Sequence, residues 1–195
     1  MAKPEKTLEK NAEAPMLITN ELFKSRTVTF FGEMKPEVSE AIAKQLLALA
    51  SVSDDPIKLY INSPGGHVES GDTIHDLISF LKPKIICIGT GYVASIATHI
   101  FLAPELENRV CLPNTRFLLH QPSGGMGGQA TDISIQAQEI IRTKARINHI
   151  IAERTGQPLE KIQKDTERDF WLSAEEAINY GLCGRIIKNI ADIES

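Results

Sequence analysis

The stretch KIICIGTGYVASIAT, residues 84–98, decides the predicted fold. Its first part, KIICIG, is a continuous apolar run, which is the pattern of a strand buried on both faces. From Ser95 onward the pattern becomes helical and stops before Pro104. A serine at a junction between strand and helix is expected at the carboxyl edge of a sheet, where α/β folds bind their ligands.

Strands and helices alternate on both sides of this stretch. Upstream, the segments with strand patterns are TVTFF (27–31) and IKLYIN (57–62), and each precedes a segment with helical spacing (34–50 and 68–81). Downstream, the predicted strands are RVCL (109–112), RFLL (116–119) and GRIIK (184–188). Such alternation requires βαβ crossovers, so the sequence predicts an α/β domain with a mostly parallel sheet.

Two further helices are predicted after residue 130. The first runs from about Thr131 to Thr155, with Thr131 or Asp132 as its cap and Gly156 as its end. Its apolar stripe consists of Ile133, Ile140, Ile147 and Ile151. Because this helix follows a glycine-rich segment, we expect it to project and to bury the stripe in an oligomer. The second helix begins with a capping box at 173–176 and stops at Gly181.

Composition narrows the class of protein. The chain has 195 residues, 42% of them hydrophobic and 24% charged, with a net charge of −4 and no long basic block. These values predict one ordinary domain over 15–195 and argue against a nucleic-acid partner. Residues 1–14 alternate charges, which predicts a flexible tail rather than a secretory signal. Three widely spaced cysteines indicate a reducing, cytoplasmic location, and no apolar run predicts a membrane span.

Neither metal nor nucleotide chemistry has a motif in this chain. The five histidines form no H-x-x-x-H or H-E-x-x-H pattern, and no two cysteines lie close together. The glycine-rich segment PSGGMGGQAT (122–131) lacks the Gly-Lys-Ser/Thr ending of a phosphate-binding loop. The sequence therefore predicts no cofactor.

Hydrolytic chemistry has better candidates. Ser95 is a potential nucleophile, although a serine at this position also fits an ordinary helix cap. His120 directly follows the strand RFLL, where it could act as a general base or bond to a turn. His99 is a rival base, which we expect to point into the body of the protein. The spacing leaves three carboxylates open as the group that orients the base: Asp165, Glu167 and Asp169.

The segment INSPGG, residues 61–66, follows a predicted strand with two adjacent glycines. Glycines allow backbone N–H groups to approach a substrate closely, as an oxyanion hole requires. A tight turn is the alternative interpretation of the same residues.

Taken together, these segments resemble the ClpP family, the proteolytic subunit of the Clp protease, over about residues 15–190. The matching stretches are YINSPGG (60–66), GYVASIA (91–97), CLPNTRFLLHQPSGG (111–125), GQATDI (128–133) and DTERDFWLSAEEAINYGL (165–182). They follow the order and spacing of the family, with 25 residues from Ser95 to His120 and 49 from His120 to Asp169.

The resemblance implies a role for each residue at a matching position. Ser95 would be the nucleophile, His120 the general base, and Asp169 the acid that orients His120. The backbone N–H groups of Gly66 and Ile96 would form the oxyanion hole. The remaining positions would bind an extended peptide through their backbone: Val68, Ser123, Gly124 and Gly125.

The resemblance also implies an architecture and partners. The fold would be the ClpP/crotonase-like spiral of ββα units, with a protruding handle at about 121–155. Subunits of this kind form a tetradecamer of two stacked seven-membered rings around a chamber, with handles that interlock between the rings. Glu167 and Arg168 would link catalysis to that contact. An AAA+ unfoldase ring, which uses the ATP, would feed in polypeptide substrates.

Some residues depart from the family pattern. Lys58 stands where the family often has an aromatic residue in its unfoldase-docking cleft, while Tyr60 and Phe80 are retained. Ile96 replaces a usual methionine, and His67 and His99 are unusual. The pattern resembles divergent second-copy members, for which a paralogous ring is a further partner. The alternatives are a structural or regulatory ring subunit with little activity and a crotonase-type acyl-CoA enzyme, which lacks such a triad.

Overall fold

The computed structural model describes residues 16–122 and 127–193. The tail predicted for 1–14 and the peptide-binding positions 123–125 lie outside these residues. Within them, no helix combines the length and the apolar character that a membrane span needs.

The described chain forms seven strands and seven α-helices. The strands are β1 (Thr27–Phe31), β2 (Ile57–Ser63), β3 (Ile85–Ala94), β4 (Arg109–Cys111), β5 (Arg116–Leu119), β6 (Phe170–Leu172) and β7 (Arg185–Ile186). The helices are α1 (16–24), α2 (Pro36–Val52), α3 (Val68–Phe80), α4 (Ile96–Phe101), α5 (Ala130–Thr155), α6 (Leu159–Asp165) and α7 (Ala174–Tyr180). Two short 3₁₀ turns cover Leu106–Asn108 and Ile190–Ile193.

The seven strands form one sheet with β3 at its centre. The strands β1, β2, β3, β4 and β7 lie side by side in this order, and all of their pairings are parallel. The last residues of β3 pair instead with β5, also in parallel. Only β6, which pairs with β5, runs antiparallel among the described strands. The predicted α/β class and mostly parallel sheet are therefore confirmed.

The helices cover the sheet as their apolar spacing predicts. Helix α2 buries Ser39, Ile42, Leu46 and Leu49, which recur every three or four residues, and Pro36 occupies its first turn. The apolar sequence of the central strand β3 is explained by its position, because Ile85, Cys87 and Ile88 are all buried. Each fully buried aliphatic side chain contributes about 1.5–3 kcal/mol through removal from water, so this core supports the whole sheet.

The long helix α5 divides into two halves. All its residues from 130 to 139 are exposed, whereas Ile147 and Ile151 are buried against the body. The predicted stripe is thus covered at its carboxyl end and open at Ile133. Gly156 ends the helix in the left-handed conformation, as predicted. The predicted cap is wrong, because Gln129 occupies the N-cap position and provides no side-chain hydrogen bond.

The sequence patterns missed two elements between α5 and α7, namely helix α6 and strand β6. Both are short, and α6 buries only Ile162, so neither shows a recognisable apolar period. The capping box of α7 is confirmed, since the Ser173 side chain accepts from the Glu176 N–H and the Glu176 carboxylate accepts from the Ser173 N–H.

Candidate active site

Ser95 lies at the turn between β3 and α4. Its N–H donates to the carbonyl of Leu118 at 3.0 Å, which ties the turn to β5. Its backbone has φ 58° and ψ −127°, and among the described residues other than glycine only Arg26 shares a positive φ. Such a conformation costs about 1–3 kcal/mol and is retained where the surrounding structure enforces it. The turn therefore holds the serine in a strained position at the sheet edge.

His120 reaches the same edge because β5 lies beside β3. In their parallel pairing Ala94 lies opposite Leu118. Ser95 follows Ala94 directly on one chain segment, and His120 follows Leu118 by two residues on the other, so both leave the sheet at the same edge. The side chain of Thr98 donates to the carbonyl of Val93 at 2.9 Å and lies 3.1 Å from that of Leu118, which fixes the two strand ends together.

Asp169 is brought to His120 by the antiparallel strand β6. The pairing places Leu119 opposite Phe170, so the next position of the same register sets His120 opposite Asp169. His120 Nδ1 lies 3.4 Å from Asp169 Oδ1. Gln121 holds the two segments together, because its N–H donates to the Thr166 carbonyl at 2.7 Å and its side chain to the Glu167 carbonyl at 2.9 Å.

The other two candidate carboxylates have different surroundings. Asp165 accepts from Lys161 at 2.6 Å and from the Tyr180 hydroxyl at 2.7 Å. Burial raises the pKa of Asp165, but the hydrogen bonds from Lys161 and Tyr180 outweigh it, so the net pKa is lowered. Glu167 is exposed beside Gln121. Of the three carboxylates, only Asp169 contacts His120.

The triad geometry is loose. Within the described chain no hydrogen bond joins Ser95 to His120, and the 3.4 Å between His120 and Asp169 lies at the outer limit for a hydrogen bond. The His120 and Asp169 side chains are 27% and 65% exposed. Catalytic hydrogen bonds are often long without substrate and tighten when it binds, which fits a site in its resting state.

The loop after β2 packs directly on the Ser95 turn. A Cβ atom at Gly65 would lie 2.6 Å from the Ser95 Cβ and 3.1 Å from the Ile96 nitrogen. On its other side the loop pairs with Met34, whose N–H donates to the Gly65 carbonyl while its carbonyl accepts from the His67 N–H. In such a parallel bridge the N–H of the middle residue, here Gly66, points away from Met34. The predicted oxyanion donors, Gly66 and Ile96, therefore belong to two segments in direct contact.

A small cavity lies between these elements. Its volume is about 20 Å³, and its lining includes Val68, Ser95, Ile96 and His120. Ile147 and Ile151 of α5 also line the cavity. This is about the space of one water molecule, so a substrate side chain can enter only if the walls move.

His99, the rival base, is paired with Asp72. Its ring is 2% exposed, lies 3.1 Å from Asp72 and stacks on His75 with ring centroids 4.2 Å apart. Burial raises the pKa of Asp72, but the hydrogen bonds and charges of His99 and Arg146 outweigh it and hold the pKa well below its usual range. Sequence reasoning missed Asp72 and Arg146, because nothing in their spacing relates α3 to α5.

His67 has a structural role. It is the N-cap of α3, and its Nδ1 lies 2.8 Å from the Ser70 hydroxyl and accepts from the Ser70 N–H. The arrangement of Ser95, His120 and Asp169 beside the segments of Gly66 and Ile96 suits acyl transfer, because it offers candidates for a nucleophile, a base, an orienting acid and oxyanion donors.

Comparison with known proteins agrees with this chemistry. Residues 10–190 match the sequence family described as Clp protease. The chain is similar to the ATP-dependent Clp protease proteolytic subunit 3 of Rhizobium etli, with 57% identity over 95% of this chain and 96% of that protein. It is also similar to proteolytic subunit 2 of Pseudomonas aeruginosa, with 55% identity over 87% of this chain and 85% of the relative.

A solved structure is similar over most of the chain. A mutant of ClpP1 from Listeria monocytogenes superimposes with a TM-score of 0.85 and 53% sequence identity, covering 90% of this chain and 99% of that one. The predicted spiral fold is thus confirmed.

Proposed function

The chain belongs to the Clp protease family, and from this premise we propose that it is a serine endopeptidase that cleaves unfolded polypeptides. One observation carries the proposed site. The parallel pairing of β3 with β5 and the antiparallel pairing of β5 with β6 bring Ser95, His120 and Asp169 to one edge of the sheet. No finding favours an acyl-CoA enzyme.

In the proposed reaction the Ser95 Oγ attacks the carbonyl carbon of the scissile peptide bond. His120 takes the hydroxyl proton and passes it to the leaving amine, while Asp169 stabilises the imidazolium that forms in between. The N–H groups of Gly66 and Ile96 stabilise the negative oxygen of the tetrahedral intermediate. Water, deprotonated by His120, then attacks the acyl carbon, and His120 returns the proton to the Ser95 Oγ as the bond between that oxygen and the acyl carbon breaks.

We propose that the substrate binds as an added strand along Val68 and residues 123–125. The location of Val68 in the cavity wall beside Ser95 supports this arrangement. Recognition through backbone hydrogen bonds would leave side-chain selectivity weak.

We further propose that the chain works in two stacked heptameric rings under an AAA+ unfoldase ring, with a paralogous ring as a further partner. The names of the relatives, ATP-dependent proteolytic subunits numbered 2 and 3, support both partners. Two surfaces are available for docking. One is a cleft of about 570 Å³ lined in part by Lys58 and Ile86, and the other is the exposed Phe80.

The three buried free cysteines support a cytoplasmic location.

The decisive experiment measures labelling by a fluorophosphonate probe together with cleavage of a fluorogenic peptide. Both signals are expected in the purified protein and should vanish in Ser95→Ala. The matched control is Ser51→Ala, on the exposed surface of α2, which should retain both. Labelling that persists in Ser95→Ala would sink the assignment of the nucleophile.

A second candidate, a regulatory ring subunit with little activity, is favoured by the loose contact between His120 and Asp169. Mixed rings separate the two functions. If the protein is a peptidase, mixed rings in which only the paralogue is inactivated should keep activity. That activity should disappear when this chain also carries Ser95→Ala. If it is regulatory, only inactivation of the paralogue removes the activity.

A further inference from the structure

An ionic cluster lies behind the Ser95 turn and takes no part in the proposed reaction. It consists of Asp72 and His75 of α3, His99 of α4 and Arg146 of α5, and we call it the Asp72 cluster. Arg146 donates two hydrogen bonds to the Asp72 carboxylate, Nη1 to Oδ1 at 2.9 Å and Nη2 to Oδ2 at 2.6 Å. Asp72 Oδ1 in turn lies 3.1 Å from His99 Nε2.

His99 connects this cluster to the nucleophile. It is four residues after Ser95, on a helix of six residues that begins directly after Ser95. Its ring is almost completely buried, is held on one face by His75, and shares the wall of the small cavity with Ser95. A change in the position of His99 therefore moves the short helix on which the Ser95 turn depends.

The adjoining helix reinforces the connection. Gly71, next to Asp72, packs so closely on Ile96 that a Cβ atom at position 71 would lie 2.1 Å from an Ile96 side-chain carbon. Ile96 is the residue after Ser95 and one of the proposed oxyanion donors. Helix α3 thus contacts both ends of the segment between Ser95 and His99.

Arg146 joins the cluster where α5 meets the body of the protein. The residues before it on this helix, from 130 to 139, are exposed, whereas Ile147 directly after it is buried in the cavity wall. Further along, Arg154 fixes the end of α5 through hydrogen bonds to the carbonyls of Leu102 and Ala103. The Arg146–Asp72 pair therefore joins α5 to α3 beside Ile147, which lines the active-site cavity.

We propose that Arg146, Asp72 and His99 are positioning residues that hold the turn carrying Ser95 in place. The proposal rests on the assigned function of Ser95. An ion pair of this kind is weak evidence for stability, since an apolar contact of equal size would serve as well. The two hydrogen bonds between Arg146 and Asp72 instead fix how the two side chains are oriented, because a guanidinium and a carboxylate that are joined at two points allow one relative orientation.

The main test replaces Arg146 with glutamine. We expect kcat per labelled Ser95 to fall about tenfold to hundredfold with KM changed less than about twofold, because displacement of a nucleophile by about 1 Å costs up to about 10² in rate. Amide hydrogen exchange should become faster in peptides that cover 95–101. Arg146→Lys, which keeps the charge and loses the paired geometry, should show a smaller change in both measurements.

The matched control is Lys44→Gln. Lys44 lies on the exposed surface of α2, where it pairs with Glu40 of the same helix, so its replacement should leave kcat, KM and exchange at 95–101 unchanged. A merely structural role of Arg146 would lower the number of labelled sites and leave kcat per site intact, and that result overturns the proposal. Unchanged exchange at 95–101 overturns it as well.

The design separates this proposal from the proposed function. If the unmodified protein is neither labelled at Ser95 nor active, the peptidase assignment fails. Hydrogen exchange at 95–101 in Arg146→Gln then decides alone whether the Asp72 cluster positions the Ser95 turn.

Discussion

Gly65 is the glycine that packs directly against the Ser95 side chain. Its φ is +94°, a conformation that side chains other than glycine disfavour, and a Cβ there would overlap both Ser95 and the carbonyl of Ala94. Gly32 has a similar φ of +88° with open space around it. A side chain would strain the backbone at either glycine, but only at Gly65 would it also crowd Ser95. Comparison of the two substitutions therefore separates the effect of strain from the effect of crowding.

We expect Gly65→Ala to lower probe labelling at Ser95 by at least about tenfold, because the loop must retreat from the Ser95 turn. The free energy of unfolding should fall by roughly 1–3 kcal/mol from the strain alone. Gly32→Ala should lower the free energy of unfolding by a similar amount and leave probe labelling at Ser95 unchanged. Equal labelling of the two variants would mean that contact with Gly65 does not shape the site.

The protonation of Asp72 provides a prediction of pH dependence. Its pKa in the folded protein is lowered below the unfolded value of about 3.9, so its ionised form stabilises the fold. That contribution is complete above the unfolded pKa and is lost as the pH falls through the folded pKa. In urea unfolding, the stability difference between the protein and Asp72→Asn should therefore be largest near pH 7 and shrink below about pH 4.

Glu139→Gln is the control for this measurement. Glu139 lies on the exposed surface of α5 and, among residues 16–122 and 127–193, pairs only with Arg142 of the same helix. Its stability difference should depend much less on pH than that of Asp72→Asn. A difference for Asp72→Asn that stays constant down to pH 3 would contradict the role of its carboxylate.

At the scale of elements, helix α7 shows how far local sequence signals reach. The Ser173 and Glu176 side chains close both hydrogen bonds of the predicted capping box, and Gly181 ends the helix in the left-handed conformation. Ser173→Ala should lower the free energy of unfolding by about 1 kcal/mol. Asn179→Ala, at an exposed position of the same helix, should change it by less than about 0.5 kcal/mol. A loss below that level for Ser173→Ala would show that tertiary contacts, rather than the cap, hold α7.

Strand β6 shows where such signals end. Ser95 and His120 were predictable because each follows a strand with a clear apolar pattern. The choice of Asp169 over Asp165 and Glu167 depended on the family resemblance, since spacing left all three open. In the structure Asp169 lies beside His120 because of a three-residue antiparallel pairing, and three residues carry no period that a sequence pattern can reveal.

The Asp72 cluster was missed for a related reason. His99 was expected to point into the body, and it does. Its partner Asp72 lies 27 residues earlier on α3, and Arg146, which pairs with Asp72, lies 47 residues later on α5. Contacts between helices depend on how each packs on the sheet, which the periodicity of a single helix does not specify.

At the scale of the whole molecule, the exposed half of α5 predicts assembly. Ile135 and Ile141 are 53% and 65% exposed on a helix that stands away from the core. We expect a second copy of this chain to cover them, because each buried isoleucine contributes about 1.5–3 kcal/mol. Ile135→Glu combined with Ile141→Glu should weaken assembly at least about hundredfold in sedimentation. Gln136→Glu adds a charge on the face of α5 that points away from Ile135 and Ile141, and it should sediment like the parent. Unchanged assembly of the double variant would rule out this face as the contact.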